Sequence, residues 1–236
     1  MKTVLHKAAT RGHADHGWLN SWHTFSFAGY NDPSRVNFGA LRVLNDDTVT
    51  AGMGFGKHPH DNMEIISIPL EGDLEHGDNM GTKQVIKKGD VQIMSAGTGV
   101  VHSEKNANSN QPVKFLQIWV FPNEKNVKPR YEQKTFSDEE KLNKLLTVVS
   151  PMGSNEGINI HQDAWFSLGK MDKGTALEYE VKKEGNGVYA FVLDGDVTIN
   201  NIVLNKRDGL GISEEKALKI TADSKAELLL MEVPMN

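Results

Sequence analysis

Cysteine is absent from this 236-residue chain. Disulfides, thiolate metal sites and a cysteine nucleophile are therefore excluded, and the omission fits a reducing cytoplasm. No block of like charge stands out: 26 basic and 31 acidic residues leave a net charge of −5. A nucleic-acid partner, which needs a basic face, is not expected. The opening Met1-Lys2-Thr3-Val4-Leu5-His6-Lys7 has no apolar signal core, and no apolar run reaches membrane-spanning length. These absences predict a cytoplasmic protein with no membrane association. What remains is a 38% hydrophobic content, enough for a packed core and too high for wholesale disorder.

Length alone permits one large β domain or two small ones. From Asn37 onward, short apolar runs recur between turns bearing glycine and asparagine. They include Ala40–Leu44, Glu64–Ile68, Gln84–Ile86, Val91–Met94 and Phe115–Val120, and later Val188–Leu193, Val197–Ile199 and Glu227–Met231. Their close spacing predicts an all-β barrel or sandwich rather than βαβ units. One helix is expected. Ser137 and Glu140 form a capping box, acidic residues fill its first turn, and Leu142, Leu145 and Leu146 supply an apolar stripe. Ser150-Pro151-Met152-Gly153-Ser154-Asn155 reads as a linker.

The halves on either side echo one another. Leu70-Glu71-Gly72-Asp73-Leu74 is answered by Leu193-Asp194-Gly195-Asp196-Val197, and Lys88-Gly89-Asp90-Val91 by Arg207-Asp208-Gly209-Leu210. Duplication of a small barrel accounts for both echoes.

The chemistry concentrates in the first half. His58 and His60 stand at i and i+2 after a glycine-rich run, and His102 and Glu104 repeat that spacing. Residues two apart on a strand share a face. Two such pairs on neighbouring strands converge three imidazoles and one carboxylate on a single ion. That donor set suits iron, manganese, nickel, copper or zinc. The second half has no His-x-His, and its isolated His161 reads as structural. His13, His16 and His23 do not repeat the strand spacing, and flanking glycines suggest a turn. They are expected to pack and hydrogen-bond rather than bind metal.

Gly52-x5-His58-x-His60-x3-Glu64 followed by Gly72 resembles the first cupin motif, and Gly89, Gly97-x4-His102 and Asn106 resemble the second. Arg11-Gly12-His13-Ala14-Asp15-His16-Gly17-Trp18-Leu19, Trp22-His23-Thr24-Phe25-Ser26-Phe27, Met94–Gly99 and His102-Ser103-Glu104 together look like pirin. The likeness is close to the bacterial pirin-like proteins associated with quercetin 2,3-dioxygenase activity, and it is stronger before Pro129 than after Ser150.

The resemblance implies a bicupin. Residues 1–135 would be an N-terminal metal-binding cupin domain, 136–155 a helix and linker, and 156–236 a metal-free cupin-like copy. It makes His58, His60, His102 and Glu104 the ligands of one divalent transition metal. Fe(II) is the first choice, with Zn, Mn, Ni, Co or Cu as alternatives. Many other cupins take their glutamate where Glu64 stands. Along an extended strand Glu64 lies about 13 Å from His60, so it reaches the ion only if Asp61-Asn62 turns the chain. Glu104 already shares a face with His102.

The implied activity is dioxygenase cleavage of a flavonol with O2 and release of carbon monoxide. Glu104 would be the base, and the protein a monomer. The rival function is a metal-binding, redox-responsive regulatory or interaction protein with no catalytic role. A purely structural bicupin would hold no metal.

Overall fold

The computed structural model describes residues 1–235 and is all-β, with one helical turn and one short 3-10 turn. Its strands form two seven-stranded and two four-stranded sheets. In the first half the large sheet runs, in spatial order, Arg130–Thr135, Asp90–Ser95, Glu64–Glu71, Val113–Val120, Leu41–Val49, Leu19–His23 and Gly12–Asp15. Its companion runs Gly54–His60, Val100–Asn106, Leu74–Asp78 and Lys83–Ile86. The second half repeats this order. Its large sheet holds Gly209–Ser213, Asn186–Asp194, Ala226–Pro234, Trp165–Met171, Leu145–Pro151 and Ile158–Ile160. Its small sheet holds Ala176–Glu180, Ala217–Ala222, Val197–Ile199 and Ile202–Leu204. The echo in the sequence is thus an echo in topology. Gly72 and Gly195 sit at equivalent strand exits with φ of 74° and 72°, a conformation that glycine adopts without strain. None of the four sheets closes on itself; each ends in edge strands.

Both large sheets are buried on two faces, and strand periodicity sorts their side chains. Ile66, Ile68, Ile93, Leu116 and Ile118 join Phe166, Phe191, Leu229 and Met231 in one apolar cluster between the halves. In the second half the opposite face is also apolar. Val188, Ala190, Val192, Leu228 and Leu230 pack there on Leu218 and Ile220 of the small sheet. Burial on both faces explains the unbroken Leu228-Leu229-Leu230-Met231 run. In the first half the corresponding face carries Asn45, Asp47, Ser67, Gln92 and Gln117, all buried. Buried polar side chains cost free energy unless they are hydrogen-bonded, so their concentration on this one face marks a candidate site.

The first strand, Lys2–His6, pairs antiparallel with Gly209–Ser213, so the start of the chain completes the second half's sheet. Among the described residues, no helix is long and apolar enough to cross a membrane.

The expected helix is shorter than its apolar stripe suggested. It spans Asp138–Lys141, with both arms of the capping box present: Glu140 N–H donates to Ser137 Oγ at 3.3 Å, and Ser137 N–H to Glu140 Oε2 at 2.7 Å. Asn143 then takes a φ of +54°, and Leu145 and Leu146 pair with Gly169 and Leu168 in a strand. Sheet pairing overrides the local helical pattern, and Leu142 is left 46% exposed. Of the stretch read as a linker, Ser150 and Pro151 close that strand, and Gly153 turns the chain back toward Ile158 at φ +85°. Because the cap serves one exposed turn, Ser137→Ala is expected to lower stability in urea by only about 0.5–1 kcal/mol. A loss of several kcal/mol would show that this turn anchors the sheet behind it.

Candidate metal centre and its cavity

Strand Gly54–His60 carries two of the candidate ligands, and Val100–Asn106 lies antiparallel to it with His102 directly opposite His58. The register brings the three rings together. Ring centres are 4.4 Å apart for His58 and His102, 4.9 Å for His58 and His60, and 5.0 Å for His60 and His102. One nitrogen from each lies within 4.8 Å of the others, a spacing that can surround one ion.

The donors are prepared for a cation. His58 Nδ1 lies 2.8 Å from the Gly56 carbonyl oxygen; donating to it fixes the tautomer and leaves Nε2 free. Burial, with His58 adding to it, pushes His60 down to about 4. Burial first, then His58, His60 and His76, pushes His102 down to about 2. Both rings are therefore neutral at ordinary pH, the form that ligates metal. His102 is buried and neither of its ring nitrogens has a hydrogen-bond partner. A buried imidazole with two unmet nitrogens is costly. The site fits a transition-metal ion.

Glu104 lies on the same face as His102, as the i, i+2 spacing predicted, but a bulge between them sets it opposite Phe55 rather than Gly56. It is outside the three-histidine group. Its carboxylate accepts hydrogen bonds from Gln117 Nε2 at 2.7 Å and Ser67 Oγ at 3.1 Å. Glu64 is elsewhere. On its strand it shares the face of Ile66 and Ile68, which packs against the second half. There it accepts from Ser95 Oγ at 2.8 Å and from the His161 backbone N–H at 3.3 Å. Asn62 does turn the chain, at φ +44°, but strand parity then points Glu64 away from the ion. His161 joins the halves through its backbone, since its carbonyl also accepts from Asn123 N–H.

A cavity of ≈ 640 Å3 opens beside the histidines. Phe27, Tyr30, Phe55 and Trp119 contribute aromatic wall, while Ser21, Asn45, Asp47, Glu104 and Gln117 form a polar side. His13, His16 and His23 also line it. His13 stacks on Trp22 at 4.1 Å and His23 meets Phe27 edge-on, the packing roles expected of those two, whereas His16 is exposed at the cavity rim. The turn falls at Gly17, whereas Gly12–Asp15 is a strand.

Asp47 was not singled out from the sequence. Burial pushes its carboxyl up to about 7, and Glu104 and Asp46 nearby add to the shift against a bond from the Ser21 hydroxyl. It is the second acid in the cavity. The available signal was parity: Asn45, Asp47, Ser67 and Gln117 are polar residues inside strands that bury both faces. Asp78 went unnoticed too. Burial opposes its charge, yet bonds from His76 and Thr82 hold its carboxyl below the ordinary value.

A family model described as Pirin matches residues 4–120, and one described as the quercetinase C-terminal cupin domain matches 147–233. A quercetin 2,3-dioxygenase of Escherichia coli K12 is 45% identical over 230 residues, covering 98% of each chain. The chain belongs to the pirin family. A putative quercetin 2,3-dioxygenase of Pseudomonas aeruginosa is 41% identical, over 94% of this chain and 95% of its own. Among solved structures, an E. coli bacterial pirin in complex with nickel(II) superposes with a TM-score of 0.94 at 43% identity, covering all of both chains. A quercetin 2,3-dioxygenase from Acinetobacter baumannii shares the fold, with a TM-score of 0.79 at 21% identity over 98% of this chain and 86% of its own. The cupin-type pirin fold is thereby a property of this chain, and its three histidines form a group that could hold a metal ion.

Proposed function

We propose that this pirin is a metal-dependent dioxygenase that opens the heterocycle of a flavonol such as quercetin, consuming O2 and releasing carbon monoxide and a depside. The observation that carries the reading is three convergent histidines, two of which, His58 and His60, line an aromatic-walled cavity of ≈ 640 Å3. That volume lies within the range of small-molecule sites, about 300–1,000 Å3. His58, His60, His102 and Glu104 are the proposed ligands, with Fe(II) as the native metal. When bound, the ion supplies Lewis acidity toward the substrate's oxygens and access to O2. The aromatic walls hold the planar rings, and Glu104 takes the proton of the 3-hydroxyl on a carboxylate oxygen. Gln117 and Ser67 keep that carboxylate aimed into the cavity.

The rest of the architecture follows the same reading. Along the chain we divide the protein into cupin halves 1–135 and 156–236 with 136–155 between them, Lys2–His6 and Leu145–Pro151 lending strands to the second half's sheet, and each half a double-stranded β-helix of barrel type. The second half has exchanged its ligand positions for apolar packing. We further infer a cytoplasmic monomer with no direct nucleic-acid contact.

The decisive experiment is turnover of quercetin by metal-defined protein with and without O2, with carbon monoxide measured against substrate lost. Equal amounts are expected. Glu104→Gln keeps the side-chain volume and is expected to lower the rate about 100-fold or more. Fully metal-loaded protein that leaves quercetin untouched in O2 would sink the enzymatic reading and favour a regulatory role.

A further inference from the structure

His76 stands behind the histidine cluster, in strand Leu74–Asp78, and has no role in the chemistry above. Its side chain is 1% exposed and that of Asp78 is 0% exposed. The strand pairs with Val100–Asn106 so that Asp78 is opposite His102, and His76 opposite Glu104. His76 Nε2 lies 2.9 Å from Asp78 Oδ2, while the other oxygen, Oδ1, accepts the backbone N–H groups of Met80 and Thr82 at 2.9 and 3.0 Å. Asp78 is thus held as an acceptor, and Nε2 of His76 must be the donor. In the neutral ring Nδ1 is then a bare lone pair, and it is buried without a partner.

The ring beside it has the complementary need. His102 is buried and both of its nitrogens are unpartnered. One of them faces His58 and His60. The other, when the first is a ligand, carries a proton and requires an acceptor. The His76 and His102 ring centres are 5.4 Å apart, tilted by 45°. A ring-to-ring N–H···N bond of about 3 Å holds two imidazole centres a little over 5 Å apart, so a modest ring rotation completes the contact. Tyr131 lies beside His76, with ring centres 4.7 Å apart, and limits its motion.

We propose that Asp78 and His76 form a positioning relay, in which Asp78 fixes the His76 tautomer and His76 Nδ1 accepts the N–H of His102, orienting it toward the metal. The relay rests on His102 being a ligand, as proposed above. It adds a buried carboxylate–imidazole–imidazole chain as the device that holds the ligand in place.

Nickel(II) titration of the metal-free full chain tests it, comparing the parent with His76→Phe, Asp78→Asn and His102→Ala. His76→Phe deletes the acceptor while keeping a ring against Tyr131. Asp78→Asn lets an amide donate to Nε2, which moves the His76 proton to Nδ1 and blocks acceptance. Each is expected to weaken nickel affinity about 10- to 100-fold with unchanged β-sheet circular dichroism. A packing role alone would not produce the second signature. In 15N-histidine-labelled, zinc-loaded parent, a scalar coupling should join His76 Nδ1 to a His102 nitrogen, and Asp78→Asn should abolish it.

Absence of that coupling overturns the relay, whatever the affinities and whether or not His76→Phe folds. Parental affinity in both relay variants, alongside weakened binding in His102→Ala, overturns it too while leaving the metal site intact. Parental affinity in His102→Ala removes the metal-site reading itself.

Discussion

His102→Ala is expected to strip the protein of its metal and of flavonol turnover together, while the metal-free fold survives. The imidazole is buried with two unmet nitrogens, so its removal relieves a polar penalty as it opens a cavity. Those effects oppose one another, and the metal-free variant should unfold within about 1 kcal/mol of the parent. The metal-loaded comparison should differ sharply. At a free metal concentration 100-fold above the parent's Kd, binding stabilises the parent by about 2.7 kcal/mol, and the variant should gain almost none of it. Elemental analysis and thermal melts with and without added metal measure both halves of the statement. Full occupancy in the variant would remove His102 from the ligand set. His161→Ala is the control: its ring is not part of the histidine group, and its joining bonds come from its backbone.

Glu64→Gln should change how stability depends on pH rather than how the metal binds. Burial pushes the Glu64 carboxyl from its ordinary 4.5 up to about 7, against bonds from Ser95 and His161. The folded chain therefore holds this proton where the unfolded chain has lost it. Stability from Glu64 is complete below about pH 4.5 and is lost as pH rises toward 7. Glutamine keeps an acceptor for Ser95 and the His161 N–H and cannot ionise. The parent should therefore lose about 3 kcal/mol relative to the variant between about pH 4.5 and pH 7. His60, His102 and His6 titrate in the opposite sense, because burial holds each neutral, so the parent's own profile mixes both trends. The difference between the two proteins isolates Glu64. Urea unfolding of the metal-free forms on either side of that window measures it. A flat difference would show that the carboxyl ionises freely in the folded chain.

The strand positions, the duplication and the histidine constellation were legible in the sequence because each rests on local spacing. Period two put His58 with His60 and His102 with Glu104, and the register between their strands then brought the three histidines together, with Glu104 set off by a bulge. The helix was legible only at its start. Ser137 and Glu140 interact within one turn, but Leu145 and Leu146 were claimed by a strand distant in sequence. Asp47, Gln117 and Ser67 were hidden for a related reason. A polar residue in an apolar strand reads the same whether it faces solvent or a buried cavity.

By itself, then, the sequence determined the all-β class, the repeated half and which side chains could ligate a metal, since those follow from residue chemistry and short-range periodicity. Tertiary structure decided what the two faces of each large sheet are for. With both faces buried, hydrophobicity cannot say which one meets the other half and which one meets the site. Packing the halves together assigned the Ile66 and Ile68 face to the apolar interface, and Glu64 went with it, to the His161 backbone instead of the metal. The opposite face, carrying Asn45, Asp47 and Gln117, was left to line the cavity. In the duplicate that space is filled by Leu218 and Ile220, so one half packs solid where its twin keeps room for chemistry.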